Sequence, residues 1–177
     1  MNDISLNFKN RFVASLPKIP AGLDLHLDEF VLFDSESLPH RLAREDSSFL
    51  AAQGLPRDAA PFLSFYAYSQ SEIESRVHIF GLPKSYFPIG HNGSGDVIAI
   101  DMDSRHVICF NHDHYNESVF INSSLAQFAQ SLCIYQEHLT TETMANCLDA
   151  IATIDSRATD LGSMWQTEVS SELAAEP

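Results

Sequence analysis

Between Pro61 and Ile121 the sequence breaks into short runs dense in aromatic and β-branched residues, and at Asn122 that pattern stops. The runs are "FLSFYAY", "RVHIFGL", "SYFPIG", "DVIAID", "HVICF" and "SVFI". Each has the length and composition of a strand. Most links between them are short, so neighbours are expected to pair antiparallel as a meander of about five or six strands. "MDSR", between "DVIAID" and "HVICF", has the make-up of a hairpin turn. Past Asn122 the spacing becomes helical. Leu125, Phe128, Ala129, Leu132 and Leu139 share one face, and Ser124 and Gln127 stand at capping-box spacing, where each can satisfy a free donor. A helix there is expected to lie across the sheet. The fold class that follows is α+β, an antiparallel meander covered by helices.

The flanks add to this frame. Ile4, Phe8 and Phe12 fall four apart and suggest a short helix; "EFVLFD" (Glu29 to Asp34) suggests a short strand. "DSSFLAAQGLP" carries helix punctuation: Asp46 to accept from free N–H groups at the start, Gly54 for a left-handed C-terminal turn, and Pro56 to block continuation. After Leu139 a second helical stripe runs through Met144, Cys147, Leu148, Ile151 and Ile154, and a third through Leu161, Trp165, Val169 and Leu173. The second is too apolar to leave in water, so it is expected to pack on the body or in a homodimer. No repeat, linker or composition break divides the chain. One domain over 1–177 is expected, with a core of about 54–139, a mixed N-terminal segment 1–53 and a C-terminal helical extension 140–177.

With 45% hydrophobic and 19% charged residues, the chain lacks the signature of disorder. No stretch approaches the roughly 20 apolar residues of a membrane span, and the start has no export segment, so a cytoplasmic protein without membrane contact is expected. Three sequons, at Asn92, Asn116 and Asn122, carry no weight without export. Cys109, Cys133 and Cys147 are widely spaced and odd in number, which fits neither a disulfide framework nor a CxxC half-site. Net charge is −14, and from His106 onward ten acidic residues face a single base, Arg157. Such a surface is poorly suited to phosphate backbones, which argues against direct nucleic-acid binding.

Three clusters could carry chemistry. Gly90, Gly93 and Gly95 in "PIGHNGSGDVIAID" are spaced GxxGxG, the reverse of a dinucleotide fingerprint, and they precede a strand. A phosphate loop needs the aligned N–H groups of a helix N-terminus, so a tight turn is the better reading. Asp101 and Asp103 could hold a divalent cation, but aspartates in a hairpin more simply bond nearby backbone N–H groups. "HVICFNHDHYNES" gathers His106, His112 and His114 near Asp113 and Cys109. If the strand ran on to Tyr115, His112 and His114 would share a face, as zinc ligands must. No third ligand stands at recognisable spacing, no HExxH is present, and "NHDHYNES" has the composition of a solvated loop. No metal and no cofactor are expected. There is no GxSxG, and no activated Ser or Cys can be read.

The order "GLPRDAAPFLSF", "FPIGHNGSGDVIAID", "HVICFNHD", "VFINSSLAQFAQSL" resembles the SUKH superfamily (Smi/Knr-like), and most nearly its fourth family of bacterial immunity proteins. The resemblance spans about Gly54 to Leu139 and implies a non-catalytic α+β binding module that neutralises a toxin domain, possibly a nuclease or deaminase. Its motif residues then read as fold-defining: Gly93, Gly95 and Asp96 at the turn, Asp101 at the strand end, Asp113 in the loop. The acidic residues Asp113, Glu117, Glu137, Glu142 and Asp149 are the candidates for meeting a basic cognate toxin. The alternatives are a general protein-binding scaffold, or a metal-dependent hydrolase using His106, His112 and His114.

Overall fold

The computed structural model describes residues 7–23 and 26–175, so Ile4 lies outside it. Helix α1 (Phe8–Ser15) opens the described chain. Strand β1 (Phe30–Val31), helix α2 (Arg44–Ala52) and strand β2 (Leu55–Pro56) follow, with β1 and β2 paired antiparallel as a small sheet. The expected strand at "EFVLFD" is thus only two residues long.

The main sheet has six strands in chain order, each antiparallel to the next: β3 (Asp58–Ala59), β4 (Leu63–Phe65), β5 (Tyr86–His91), β6 (Val97–Asp101), β7 (Val107–Asn111) and β8 (Glu117–Asn122). The meander therefore begins at Asp58, ahead of Pro61, which sits in the tight β3–β4 turn. Helix α4 (Leu125–Thr140) crosses the sheet. Helices α5 (Cys147–Ile154) and α6 (Met164–Ala175) pack beside it.

One expected strand is a helix. "RVHIFGL" forms the second half of α3 (Gln70–Ile79) and the turn after it. Its β-branched and aromatic residues point to a strand, but the helix is initiated seven residues earlier. There the Ser69 hydroxyl accepts from the Glu72 N–H (3.4 Å) and the Glu72 carboxylate accepts from the Ser69 N–H (2.8 Å). Two free donors are satisfied reciprocally, which is the capping box expected at Ser124 and found here. At α4 only half of it forms: the Ser124 hydroxyl accepts from the Gln127 N–H, while the Gln127 amide donates to the Ile154 carbonyl.

Because α3 lies opposite α4, the central strands are apolar on both faces. Ile98, Ile100, Val107, Cys109 and Ile121 join Phe12, Phe128, Leu132 and Trp165 in the large core. Val97, Ala99, Ile108 and Phe110 meet Leu82, Val77 and Phe80 on the other side. This two-sided cover explains why Val97 to Ile100 are all buried, in a run without polar alternation.

Two local readings change. Asp46 is not the cap of α2, whose cap position is Ala43; it lies in the first turn, 3% exposed, and receives both ends of the Arg105 guanidinium at 3.2 and 3.0 Å. Leu161 is not part of α6 and is 93% exposed, whereas Trp165 and Val169 are buried. Gly54 does take the left-handed conformation, φ +67°, and an added Cβ would lie 2.2 Å from the Val31 carbonyl oxygen.

The C-terminal helices are part of the packed body, since Cys147, Ile151 and Trp165 are fully buried in the large core. A polar network anchors them. Asn122, at the end of β8 and wholly buried, accepts from the Trp165 indole N–H (2.9 Å) and donates to Ser131 (3.1 Å) and Asp155 (3.3 Å). Asp155 also accepts from the N–H and hydroxyl of Ser123 at 2.6 and 3.0 Å. Buried polar groups joined this completely specify one arrangement of the elements that carry them.

Candidate partner-binding surface

The glycine-rich segment is a turn between two strands, and its three glycines serve different needs. Gly90 lies in β5 at a register shift, where an added Cβ would stand 2.2 Å from the Ser64 carbonyl oxygen. Gly93 faces Phe62, whose Cβ would be 3.0 Å away. Gly95 has φ +86°, a conformation glycine adopts without steric cost. The Asn92 side-chain oxygen accepts from the N–H groups of Ser94 (3.0 Å) and Asp96 (2.9 Å), closing the loop on itself. The turn leads directly into strand β6, not into a helix.

Asp96 bolts this turn to the β7–β8 loop. Its carboxylate accepts from the His112 backbone N–H (2.9 Å) and from the His112 ring Nδ1 (2.5 Å). Burial alone would raise the Asp96 pKa, but the hydrogen bonds from His112 and Asn92 outweigh it and hold the carboxyl below its ordinary range. The His112 imidazole is shifted the other way, upward, first by its bond to Asp96 and then by the charge of Asp113. Asp113 itself is exposed, 3.3 Å from His112 Nε2.

Asp101 and Asp103 bond as hairpin aspartates do. Asp101 accepts from the Asp103 N–H (3.0 Å) and the Ser104 hydroxyl (2.6 Å), while Asp103 pairs with Arg41 (2.6 Å). Through Arg105 and Asp46 the same hairpin is tied to α2.

The histidines part company. Strand β7 ends at Asn111, so His112 and His114 sit in a short 3-10 turn and not on one strand face. His106 precedes β7, six residues from His112, a separation of about 20 Å along an extended strand. Its ring lies edge-on to Phe120 at 5.3 Å. Among the described residues no three of His, Cys, Asp and Glu gather as a metal site. The three cysteines are buried and free, and burial pushes each thiol up to about 12.

Of the acidic candidates, Asp113, Glu117, Glu142 and Asp149 are exposed, on the β7–β8 loop, the start of β8, the turn after α4, and α5. Glu137 is engaged: both its oxygens receive the Arg11 guanidinium at 2.8 Å. Glu117 also lines a groove of about 370 Å³ between β8 and the segment from Arg157 to Ser163. Arg157, the one Lys or Arg after His106, lies 4.4 Å over the Phe120 ring there, and Asp160 stands on the groove wall. The sequence gives no sign of this groove, because its two walls come from segments about forty residues apart.

These geometries define an α+β module whose loops are locked by short polar bonds and whose chain carries a net charge of −14. The family model described as SUKH-4 immunity protein matches residues 26–172, and the chain belongs to that family. The match extends well beyond 54–139 and takes in helices α5 and most of α6. No curated protein and no solved structure matches the chain significantly. No helix among the described residues is long and apolar enough to cross a membrane.

Proposed function

We propose that this protein binds one cognate toxin domain and occludes its active site, contributing no chemistry of its own. The observation that carries the reading is its membership of the SUKH-4 immunity protein family, and the net charge of −14 gives it a physical form. A toxin that cuts or deaminates nucleic acid presents a basic surface to a polyanionic substrate. An acidic module matches that surface and gains association rate by long-range steering. Asp113, Glu117, Glu142 and Asp149 are the contacts in this reading, with Glu137 contributing less because Arg11 neutralises it. Gly93, Gly95, Asp96 and Asp101 act behind them by holding the loops. The encounter takes place in the cytoplasm, without membrane or nucleic acid.

The test is co-expression with the C-terminal domain of a toxin encoded beside this gene. Survival and a complex that can be isolated are expected, with rescue retained in Asp101→Asn and His112→Ala. Reversing Glu117 and Asp149 to lysine should slow association by about tenfold at low salt. Cell death without a complex refutes the proposal for that toxin.

A further inference from the structure

Beside the end of β4, next to α3, aromatic and basic side chains gather at a groove. Phe65, the last residue of β4, points into the large core, and Tyr66 and Tyr68 follow it just past the end of the strand. Their rings stack at 5.7 Å and 28°. The His91 ring stacks on Tyr66 at 5.4 Å and 24°, and the Arg76 guanidinium lies 3.7 Å over Tyr68. The result is a four-membered ladder, Arg76–Tyr68–Tyr66–His91. With Arg57 it lines a groove of about 600 Å³.

The polar groups of this groove are short of partners. Tyr68 is only 9% exposed, and its hydroxyl has no hydrogen-bond partner among the described residues. Arg76 makes no ion pair among the described residues, and its place on the Tyr68 ring orients its fork in advance. Arg57 pairs with Glu29 at 2.9 Å, but both side chains are substantially exposed, and such a pair holds its partner weakly. The one carboxylate in the lining, Glu72, is committed to the N–H and hydroxyl of Ser69 at 2.8 and 2.7 Å. On a chain with 24 acidic residues and ten basic ones, this groove gathers two guanidiniums, Arg57 in an exposed pair with Glu29 and Arg76 one helical turn from Glu72.

We propose that this groove docks an acidic segment of a partner protein, with carboxylates meeting Arg57 and Arg76 and an apolar side chain lying against Tyr66. Arginine takes carboxylates through two parallel N–H donors, and tyrosine beside arginine is the composition on which protein interfaces concentrate their binding energy. Tyr66, 43% exposed, offers the apolar surface. The proposal does not rest on the immunity reading, since the carboxylates invoked there belong to other elements.

The experiment is a ¹⁵N NMR titration of the whole chain at physiological salt, where repulsion from the net charge is screened beyond about 8 Å. The probes are an acetylated, amidated hexapeptide alternating glutamate and phenylalanine, its lysine counterpart, inorganic phosphate and a mononucleotide. Saturable shifts at residues 57, 66–68, 76 and 91 are expected with the acidic peptide alone, weakened at least tenfold in Arg57→Gln and in Arg76→Lys. Arg57 is exposed, so its variant keeps the test valid if the Arg76 change disturbs α3. Absence of saturation, or equal shifts in both variants, overturns the proposal. So does tighter binding of phosphate or mononucleotide than of the peptide, which would reassign the groove to a small phosphorylated ligand.

Discussion

Replacing Asn122 by alanine should loosen the hold of the C-terminal helices on the sheet. The wild-type amide makes three buried hydrogen bonds, accepting from Trp165 and donating to Ser131 and Asp155. Asp155 keeps its two bonds from Ser123, and the Ser131 hydroxyl can rotate, so the dominant loss is the indole N–H left without an acceptor. A stranded buried donor costs about 1–3 kcal/mol, and the void left by the amide adds about 1 kcal/mol. The sum is about 2–4 kcal/mol, which for a chain of this length lowers Tm by about 5–11 °C. Urea unfolding followed by fluorescence reads the site directly, because Trp165 is the only tryptophan in the chain. The midpoint should fall with an unchanged slope. Trp165→Phe removes the same bond from the other end, so by circular dichroism the double variant should cost less than the sum of the singles by about 1 kcal/mol or more. A loss below about 1 kcal/mol for Asn122→Ala, or strict additivity, would refute the network as an anchor.

Two further outcomes follow from the turn. Gly90→Ala forces a Cβ against the Ser64 carbonyl and should destabilise by about 3 kcal/mol, whereas Gly95→Ala meets open space and bears only its positive φ, about 1 kcal/mol; equal losses in chemical denaturation would contradict the geometry. The Asp96–His112 bond should make stability depend on pH at both ends. Asp96, lowered, contributes above its ordinary 3.8 and loses that contribution as pH falls through its folded value; His112, raised, contributes fully below its ordinary 6.5 and loses it as pH rises through its folded value. The stability gap between wild type and His112→Ala should therefore be largest between about pH 4 and 6.5 and shrink toward pH 9. A gap that is flat with pH would mean that the imidazole proton plays no part.

The class of fold is legible because its two signals are local. Aromatic and β-branched runs with short links describe five of the six strands, and the change of period at Asn122 with the cap spacing at Ser124 places α4 within one residue of its start at Leu125. What misleads is equally local. "RVHIFGL" is read from its own composition, while its conformation is decided by the cap at Ser69 and by the sheet face that Val77 and Phe80 cover. Asp46 has the spacing of a cap, but a base 59 residues away takes its carboxylate. Short-range rules cannot anticipate a partner at that distance.

The surface is less legible for the same reason, and it changes what the charge pattern means. Counted along the chain, the acidic residues after His106 look like one uniform face. In three dimensions Glu137 is consumed by Arg11 and Asp155 is buried in the Asn122 network, while Asp96, ahead of that stretch, serves the turn. The carboxylates left for a partner are those on loops and outer helix positions, with Glu117 and Asp160 beside the β8 groove. The bases are sorted too: Arg11 and Arg105 brace the fold through ion pairs, Arg41 and Arg57 make exposed pairs with Asp103 and Glu29, and Arg76 lies on an aromatic ladder. Steering depends on the total charge and acts at a distance, but selectivity depends on which charges stay uncommitted once the chain has folded. Under the two proposals, a basic partner is drawn by the whole molecule and an acidic segment meets Arg57 and Arg76 at the β4 groove, so the two partners are held apart by sign as well as by place.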